Sequence, residues 1–295
     1  METEIDLRGE ILRISANNSF APMLVEKDYH LTKILHKISN KKIENLVFKG
    51  GTCLNKCYLG FYRLSEDLDF VFNQDVSKFS RSQVKKILDS FRREIFSILN
   101  ELGFKTNKDI GVGWKMITSK EDSKILGLEV STKYNSVIDG SLQNIKIEIS
   151  FRNELRNPTK KQPIHHDFID ALGEFILEEK VEIEVIDLIE NFAEKFRALV
   201  TRENIAIRDI FDIHFILEKN ILNFDEKTLE LALLKINETG GYSYSPGDFM
   251  KFIENLNSAT DNLNEKELFA VLKSDKKAKV SEMIKLIKER VLKFK

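Results

Sequence analysis

The chain has 295 residues, of which 42% are hydrophobic, so it can bury one large core or two smaller ones. Charged residues make up 32% of the chain, yet the formal net charge is only −1. This balance excludes a strongly basic protein that binds nucleic acid through its overall charge, and any basic patch must be local.

Cellular location is indicated by features that the sequence lacks. No apolar run approaches the ~18–20 residues of a membrane span, and the N-terminus has neither the basic nor the apolar region of a signal peptide. The two cysteines, Cys53 and Cys57, lie four apart on one predicted helix and cannot easily close a disulfide. We therefore expect a cytoplasmic protein with no membrane partner.

The first forty residues show apolar side chains at helical spacing, and residues 7–40 are predicted to be mostly helical. Glu26, Lys27 and Asp28 lie near the start of the second predicted helix. They are open to two interpretations, a solvated first turn or a functional element.

A strand, a glycine turn, a short helix and a second strand are predicted over residues 45–72. Gly50 and Gly51 let the chain turn sharply and approach a ligand closely. Thr52 is placed to cap the short helix, whose first N–H groups form an anion site. The turn is therefore predicted to bind phosphate.

Two carboxylates open the second of these strands. Asp67 and Asp69 lie two residues apart, so their side chains project from the same face. Neighbouring carboxylates repel each other unless a cation lies between them. Next to a phosphate-binding turn, this pair predicts Mg²⁺ ligands and Mg²⁺-dependent chemistry on a nucleotide. The alternative is a pair of solvent-facing acids.

The rest of the chain changes from mixed to purely helical. A long helix is predicted over Ser80–Leu102. Three strands follow, at Gly113–Ser119, Gly127–Tyr134 and Asn144–Arg152, with a hairpin turn at Asp139-Gly140 between the last two. Residues 157–163 form a polar break. After about residue 185 the apolar spacing is helical throughout. The sequence therefore predicts an α+β fold, with a mixed sheet flanked by helices in residues 1–184 and a helical domain in residues 185–295.

Residues 50–70 resemble the nucleotidyltransferase superfamily, in which a glycine turn on a short helix precedes Asp-x-Asp on the next strand. The closer resemblance is to the AbiEii/AbiGii toxin family of type IV toxin–antitoxin systems. Its members carry Gly-Gly-Thr-x-Leu-x-Lys, then Arg-x-Ser-x-Asp-x-Asp-Phe, then a helix pair with Glu-Lys and Arg-Asp. This chain has these motifs in order at 50–56, 63–70, 194–195 and 208–209.

The resemblance implies a nucleotidyltransferase-fold sheet, a helical domain that contributes to the active-site cleft, and further site residues. Lys56 is expected to contact phosphate and Ser65 to supply an active-site hydroxyl. Lys195 and Asp209 are the expected functional lysine and aspartate of the helical region. Glu148, on the polar face of its strand, is the candidate third carboxylate; the alternative is a cross-strand partner for a lysine or arginine.

The activity that the resemblance implies is a growth-inhibiting transfer of a nucleoside monophosphate from an NTP to an acceptor hydroxyl. The 3′ end of tRNA is the expected acceptor, and a protein hydroxyl is the alternative. Mg²⁺ is the expected cofactor, and a cognate antitoxin is the expected partner. Two other functions remain open at this point: a non-catalytic nucleotide- or RNA-binding module, and a Mg²⁺-dependent nuclease.

Overall fold

The computed structural model describes residues 6–104, 113–119, 123–151, 155–239, 241–257, 263, 268, 271–272 and 279–294. The chain forms two compact units, Met1–Ile186 and Asp187–Lys295. None of the helices in the described segments combines the length and the apolar character that a membrane crossing requires.

The first unit is built on a seven-stranded mixed sheet, as the predicted α+β fold requires. Its strands are β1 (Leu46–Lys49), β2 (Asp67–Phe72), β3 (Gly113–Thr118), β4 (Ile125–Asn135), β5 (Leu142–Ser150), β6 (Lys160–Pro163) and β7 (Glu182–Val185). Their order in the sheet is β3-β4-β5-β2-β1-β7-β6. β2 lies at the centre, antiparallel to β1 and parallel to β5.

Helices of the first unit flank this sheet. They are α1 (Leu7–Asn18), α2 (Pro22–Lys41), α3 (Gly50–Cys53), which continues as a π-helix over Leu54–Leu59, and α4 (Arg81–Glu101). α4 begins with a capping box, in which Ser80 and Gln83 bond to each other's backbone N–H groups. Its buried stripe is Val84, Leu88, Phe91, Ile95, Ile98 and Leu99. The predicted long helix is therefore confirmed.

The hairpin of β4 and β5 is also confirmed, with Asp139 and Gly140 in its turn. Alternation along β5 buries one face of the strand, formed by Ile145, Ile147 and Ile149. Arg152, the predicted end of this strand, lies outside the described residues.

The two short strands β6 and β7 were missed by the sequence analysis. β6, with the sequence Lys-Lys-Gln-Pro, falls in the segment interpreted as a polar break. Lysine and proline are unfavourable within a sheet but common on edge strands, where they block pairing with other chains. β6 is such an edge strand, because it pairs with β7 and ends the strand order.

Every element that the structure describes in the second unit is helical, as predicted. These helices are α5 (Leu188–Thr201), α6 (Ile207–Glu218), α7 (Glu226–Asn237), α8 (Pro246–Glu254) and α9 (Val280–Val291), followed by a 3₁₀ turn at Leu292–Phe294. An aromatic cluster lies in its core, where the ring of Phe196 contacts those of Phe192, Phe224 and Phe249.

Candidate active site

The glycine turn between β1 and α3 packs directly against the acidic strand β2. Gly50 has a φ of +78°, and a Cβ at this position would lie 2.6 Å from Asp69 Oδ2. A Cβ at Gly51 would lie 2.5 Å from a guanidinium nitrogen of Arg63 and 3.4 Å from Ser65 Oγ. Only glycine fits these two positions without displacing its neighbours. The structure thus brings the predicted phosphate turn and the acidic pair together.

The carboxylates of the predicted metal site lie on one face of two neighbouring parallel strands. In the register of β2 and β5, Asp67 is opposite Lys146 and Asp69 is opposite Glu148. On its other side, Asp69 is opposite Lys49 of β1. The candidate third carboxylate, Glu148, therefore lies beside the Asp67–Asp69 pair. Lys49 lies next to this group on β1, and Lys146 lies next to it on β5.

The electrostatics of this face favour binding of a cation. Burial raises the pKa of Asp69 to about 6; the carboxylates of Glu148 and Asp67 act in the same direction, while Lys49 and Lys146 oppose them. Lys146 Nζ lies 3.7 Å from Asp67 Oδ2 and 4.0 Å from Glu148 Oε2. Three carboxylates thus meet two ammonium groups, and negative charge remains in excess.

The chemistry of this donor set fits Mg²⁺ bound together with a nucleotide. Within the segments that the structure describes, no group of three or more His, Cys, Asp or Glu side chains is arranged to hold a metal ion by itself. Mg²⁺ is usually held by one or two carboxylates together with substrate phosphates and water, rather than by a complete protein cage. Asp67 and Asp69, next to a turn without side chains, would hold Mg²⁺ in this way once a nucleotide supplies the phosphate ligands.

Thr52 does not cap the short helix, which corrects the sequence prediction. It is the third residue of α3, and Lys49 occupies the N-cap position. The buried Thr52 hydroxyl donates a hydrogen bond of 2.5 Å to the backbone carbonyl of Asp67. Thr52 therefore ties the short helix to the start of β2 and helps to fix the position of the acidic pair.

Lys56 also has a different place from the one predicted. It lies on the π-helix, is completely buried, and its ammonium group is 2.9 and 3.0 Å from the two carboxylate oxygens of Asp28. This buried ion pair replaces the expected phosphate contact. The guanidinium group of Arg63, by contrast, adjoins the turn, where it would lie 2.5 Å from a Cβ at Gly51.

The acidic residues near the start of α2 are not a solvated first turn. Glu26 and Asp28 are both buried. The Glu26 carboxylate accepts hydrogen bonds of 2.6 Å from the Ser136 hydroxyl and 2.7 Å from the Val137 N–H. α2 is therefore tied to the β4–β5 hairpin through Glu26 and to the π-helix through Asp28.

A second cluster of charges lies within the helical unit. Lys195 Nζ on α5 is 2.9 Å from Asp209 Oδ1 and 2.8 Å from Asp212 Oδ2, both on α6. Arg202 also contacts Asp209. The structure thus brings together the two residues predicted in this region. It adds Asp212 and Arg202, which are not among the site residues predicted from the sequence.

A cleft of about 640 Å³ lies in the first unit, at the opposite end of β1 and β2 from the glycine turn. Its lining includes Leu46 at the start of β1 and Asn73 just after β2, and none of the predicted site residues. The candidate active site is therefore identified by its carboxylates and glycines and not by the size of a cavity.

Comparison with known proteins gives structural and family matches. MenT4, a nucleotidyltransferase toxin from Mycobacterium tuberculosis H37Rv, is 17% identical, with a TM-score of 0.61 over 96% of this chain and 88% of that chain. JHP933 from Helicobacter pylori is 18% identical, with a TM-score of 0.51 over 93% of this chain and 96% of that chain. At these identities the likeness shows the fold. A search of curated protein sequences gave no match.

The family comparison is more specific. The family whose model matches is described as nucleotidyl transferase AbiEii toxin, type IV toxin–antitoxin system, and the match spans residues 35–289. This range includes the glycine turn, the acidic strand and the Lys195 cluster. The chain therefore belongs to the AbiEii family of nucleotidyl transferase toxins of type IV toxin–antitoxin systems and is a nucleotidyltransferase.

Proposed function

We propose that this protein transfers a nucleoside monophosphate from an NTP to a hydroxyl at the 3′ end of tRNA, and thereby inhibits growth. The observation that carries the proposal is the packing of Gly50 against Asp69, where a Cβ would lie 2.6 Å from the carboxylate. A turn that must be free of side chains lies where two carboxylates can hold Mg²⁺. A triphosphate with a bound metal ion fits this combination.

In the proposed reaction, the acceptor hydroxyl oxygen forms a bond to the α-phosphorus of the NTP. The bond from that phosphorus to the oxygen bridging the α- and β-phosphates breaks, and pyrophosphate leaves. The hydroxyl proton passes to a carboxylate, for which Glu148 and Asp209 are the candidates. Asp67 and Asp69 would hold Mg²⁺, which, when bound, neutralises charge on the phosphate oxygens.

The turn supports this proposal through its backbone. Without side chains at Gly50 and Gly51, phosphate oxygens can approach the backbone N–H groups at the start of α3. Ser65 Oγ lies close to Gly51, so its hydroxyl is placed to contact the same ligand. Thr52 contributes by fixing the backbone of Asp67, and its own backbone N–H as a phosphate donor stays a prediction.

Roles for Lys195 and Asp209 in the reaction, and a contribution of the helical region to the cleft, stay predictions from the sequence. The Lys195 ammonium group is held by two carboxylates. A lysine in this state can bind a pyrophosphate leaving group after it exchanges a carboxylate for a phosphate oxygen. Mutation of Lys195 tests this role directly.

Membership of a type IV toxin–antitoxin family implies a cognate antitoxin. We propose that this antitoxin limits the activity of the protein inside the cell that makes both, in the cytoplasm. Repression, covalent modification and direct contact are the alternatives for its mode of action, and co-expression of the antitoxin should restore growth.

The experiment that tests the proposal incubates the purified protein with Mg²⁺, each α-labelled NTP in turn, and either tRNA or a cell extract. Label at the 3′ end of tRNA, absent with Asp69→Asn and present with Lys115→Met, supports the proposal. Label in protein would show that the acceptor is a protein hydroxyl and not RNA. Shortened RNA would indicate a nuclease. NTP binding without label transfer would indicate a non-catalytic module. Equal absence of label with the wild type and Asp69→Asn rejects nucleotidyl transfer.

A further inference from the structure

One lysine lies among the carboxylates of the candidate metal site. Lys146 of β5 is opposite Asp67 of β2 and two residues before Glu148, so the three side chains share one face of the sheet. Its ammonium group lies 3.7 Å from the Asp67 carboxylate and 4.0 Å from that of Glu148. A positive charge therefore already lies between two of the acids expected at the metal site.

These contacts are loose. Both distances exceed the 2.7–3.2 Å of an N–H···O hydrogen bond. The side chains of Lys146, Asp67 and Glu148 are 32%, 34% and 32% exposed. Partly exposed ion pairs of this length are weak and rearrange easily. Lys146 can therefore move away from Asp67 without disturbing the sheet.

We propose that Lys146 acts as a stand-in cation for the metal ion. In the free protein its single positive charge offsets part of the negative charge of Asp67 and Glu148. When a divalent ion binds, its ammonium group moves to a phosphate oxygen of the NTP. The inference deepens the proposed function and rests on it, because it requires a metal-and-nucleotide site at Asp67 and Asp69.

The movement follows from the charges involved. An ammonium group and a divalent cation a few ångströms apart repel each other, so an ion held by Asp67 displaces Lys146. The flexible four-carbon stem of lysine lets the charged group move while the strand stays in place. Neighbouring strands lie about 4.8 Å apart, which keeps the ammonium group within reach of a phosphate bound to that ion. Lysine binds phosphate as a point charge.

A purely structural ion pair predicts a different outcome. If Lys146 only held Asp67 and Glu148 in position, its removal would loosen the carboxylates and weaken binding of both ion and nucleotide. If Lys146 is a stand-in cation, its removal strengthens ion binding and weakens nucleotide binding. The two affinities therefore change in opposite directions.

The test compares Lys146→Met, Lys146→Arg and the matched control Lys115→Met with the wild type. Lys115 lies two strands away on β3, where its ammonium group is 2.9 Å from Glu129. Mn²⁺ affinity is measured without nucleotide by electron paramagnetic resonance titration. Affinity for non-hydrolysable analogues of the four NTPs is measured by calorimetry with Mg²⁺ present, and thermal unfolding confirms that each variant is folded.

For Lys146→Met we expect about two- to fivefold tighter Mn²⁺ binding, the size of a lost surface ion pair. We expect about tenfold or greater weakening of NTP binding, the size of a lost charged hydrogen bond. Lys146→Arg should keep NTP binding, and Lys115→Met should change neither affinity. If Lys146→Met does not fold, Lys146→Gln replaces it with the same expectations.

Weaker Mn²⁺ binding, or unchanged NTP binding, in Lys146→Met overturns the inference. If that result accompanies a wild type that binds Mn²⁺ and transfers nucleotides, the proposed function stands and only the role of Lys146 is wrong. A wild-type protein that binds neither Mn²⁺ nor any NTP analogue removes the basis of both.

Discussion

Asp69 on β2 and Glu148 on β5 face each other across a pair of parallel strands. Burial, together with the neighbouring carboxylate of Glu148, raises the pKa of Asp69 to about 6. At neutral pH the free protein therefore holds an ionised Asp69 in an unfavourable place. A cation bound between these acids would offset the electrostatic cost of ionising Asp69. Metal binding should therefore increase the stability of the folded protein.

Asp69→Asn should increase the free energy of unfolding of the metal-free protein at pH 7.5 by about 1–3 kcal/mol. A pKa unit corresponds to about 1.4 kcal/mol, and the partial exposure of Asp69 reduces the full effect. Urea unfolding in the presence of EDTA measures the change. Asp75→Asn is the control, because a hydrogen bond from Ser77 lowers the pKa of Asp75 and its charged form is favourable. An Asp69→Asn protein no more stable than the wild type would contradict the electrostatic account.

The stabilisation that Mg²⁺ gives should depend on pH through Asp69. Its folded pKa of about 6 lies above the ordinary 3.8, so ionisation lowers the stability of the metal-free protein as pH rises from 3.8 to 6. Mg²⁺ binds the ionised form and offsets this loss. The rise in melting temperature on adding Mg²⁺ should be complete above about pH 7, and the apparent affinity should fall about tenfold for each pH unit below 6. Equal shifts at pH 5 and 7.5 would argue against binding at Asp69.

The sequence predicted the parts of the site that depend on local geometry. Residues two apart on a strand share a face, which places Asp67 with Asp69 and puts Glu148 on the polar face of its own strand. The parallel pairing of β2 with β5 joins residues about eighty positions apart in the chain. Spacing within one strand carries no information about which strand lies beside it, so only the structure shows that Asp69 pairs with Glu148.

Burial of charged side chains was the main source of error. Lys56 was expected to contact phosphate, and a solvated first turn was one of two interpretations for Asp28, because isolated lysines and aspartates are usually exposed. Each is buried only because the other neutralises it, and the two lie 28 positions apart. Similarly, Asp212 contacts Lys195 on the helix before, a partner that spacing along its own helix does not indicate.

Gly50→Ala should remove metal binding, while Gly60→Ala should keep it. Both glycines have a positive φ, so alanine is strained by about 1–2 kcal/mol at either position. At Gly50 the new Cβ also collides with Asp69 Oδ2, whereas no described atom lies within 4 Å of a Cβ at Gly60. Mn²⁺ titration and thermal unfolding of the two variants separate backbone strain from displacement of Asp69. Similar Mn²⁺ affinities in the two variants would show that the turn does not position the carboxylate.

The buried pair of Asp28 and Lys56 should contribute strongly to folding when one partner is removed. Asp28→Leu or Lys56→Met leaves an uncompensated buried charge, which is expected to lower the free energy of unfolding by about 3–5 kcal/mol. The double variant Asp28→Leu with Lys56→Met has no buried charge and should recover most of this loss. Urea unfolding of the three proteins gives the comparison. If the double variant loses as much free energy of unfolding as the two single variants together, the uncompensated buried charge is not the cause of the loss.

The cluster around Lys195 allows stability and catalysis to be separated. Lys195→Met leaves Asp212 buried without the ammonium group that lies 2.8 Å from it, so the protein should be destabilised by about 3–5 kcal/mol. Adding Asp212→Asn removes that buried charge and should restore much of the stability. If Lys195 stabilises the leaving pyrophosphate, label transfer by this double variant should remain about 10²–10³-fold below that of the wild type. The single variant Asp212→Asn, which keeps Lys195 and Asp209, should remain active. A stable double variant with wild-type transfer would assign Lys195 to the scaffold of the helical unit.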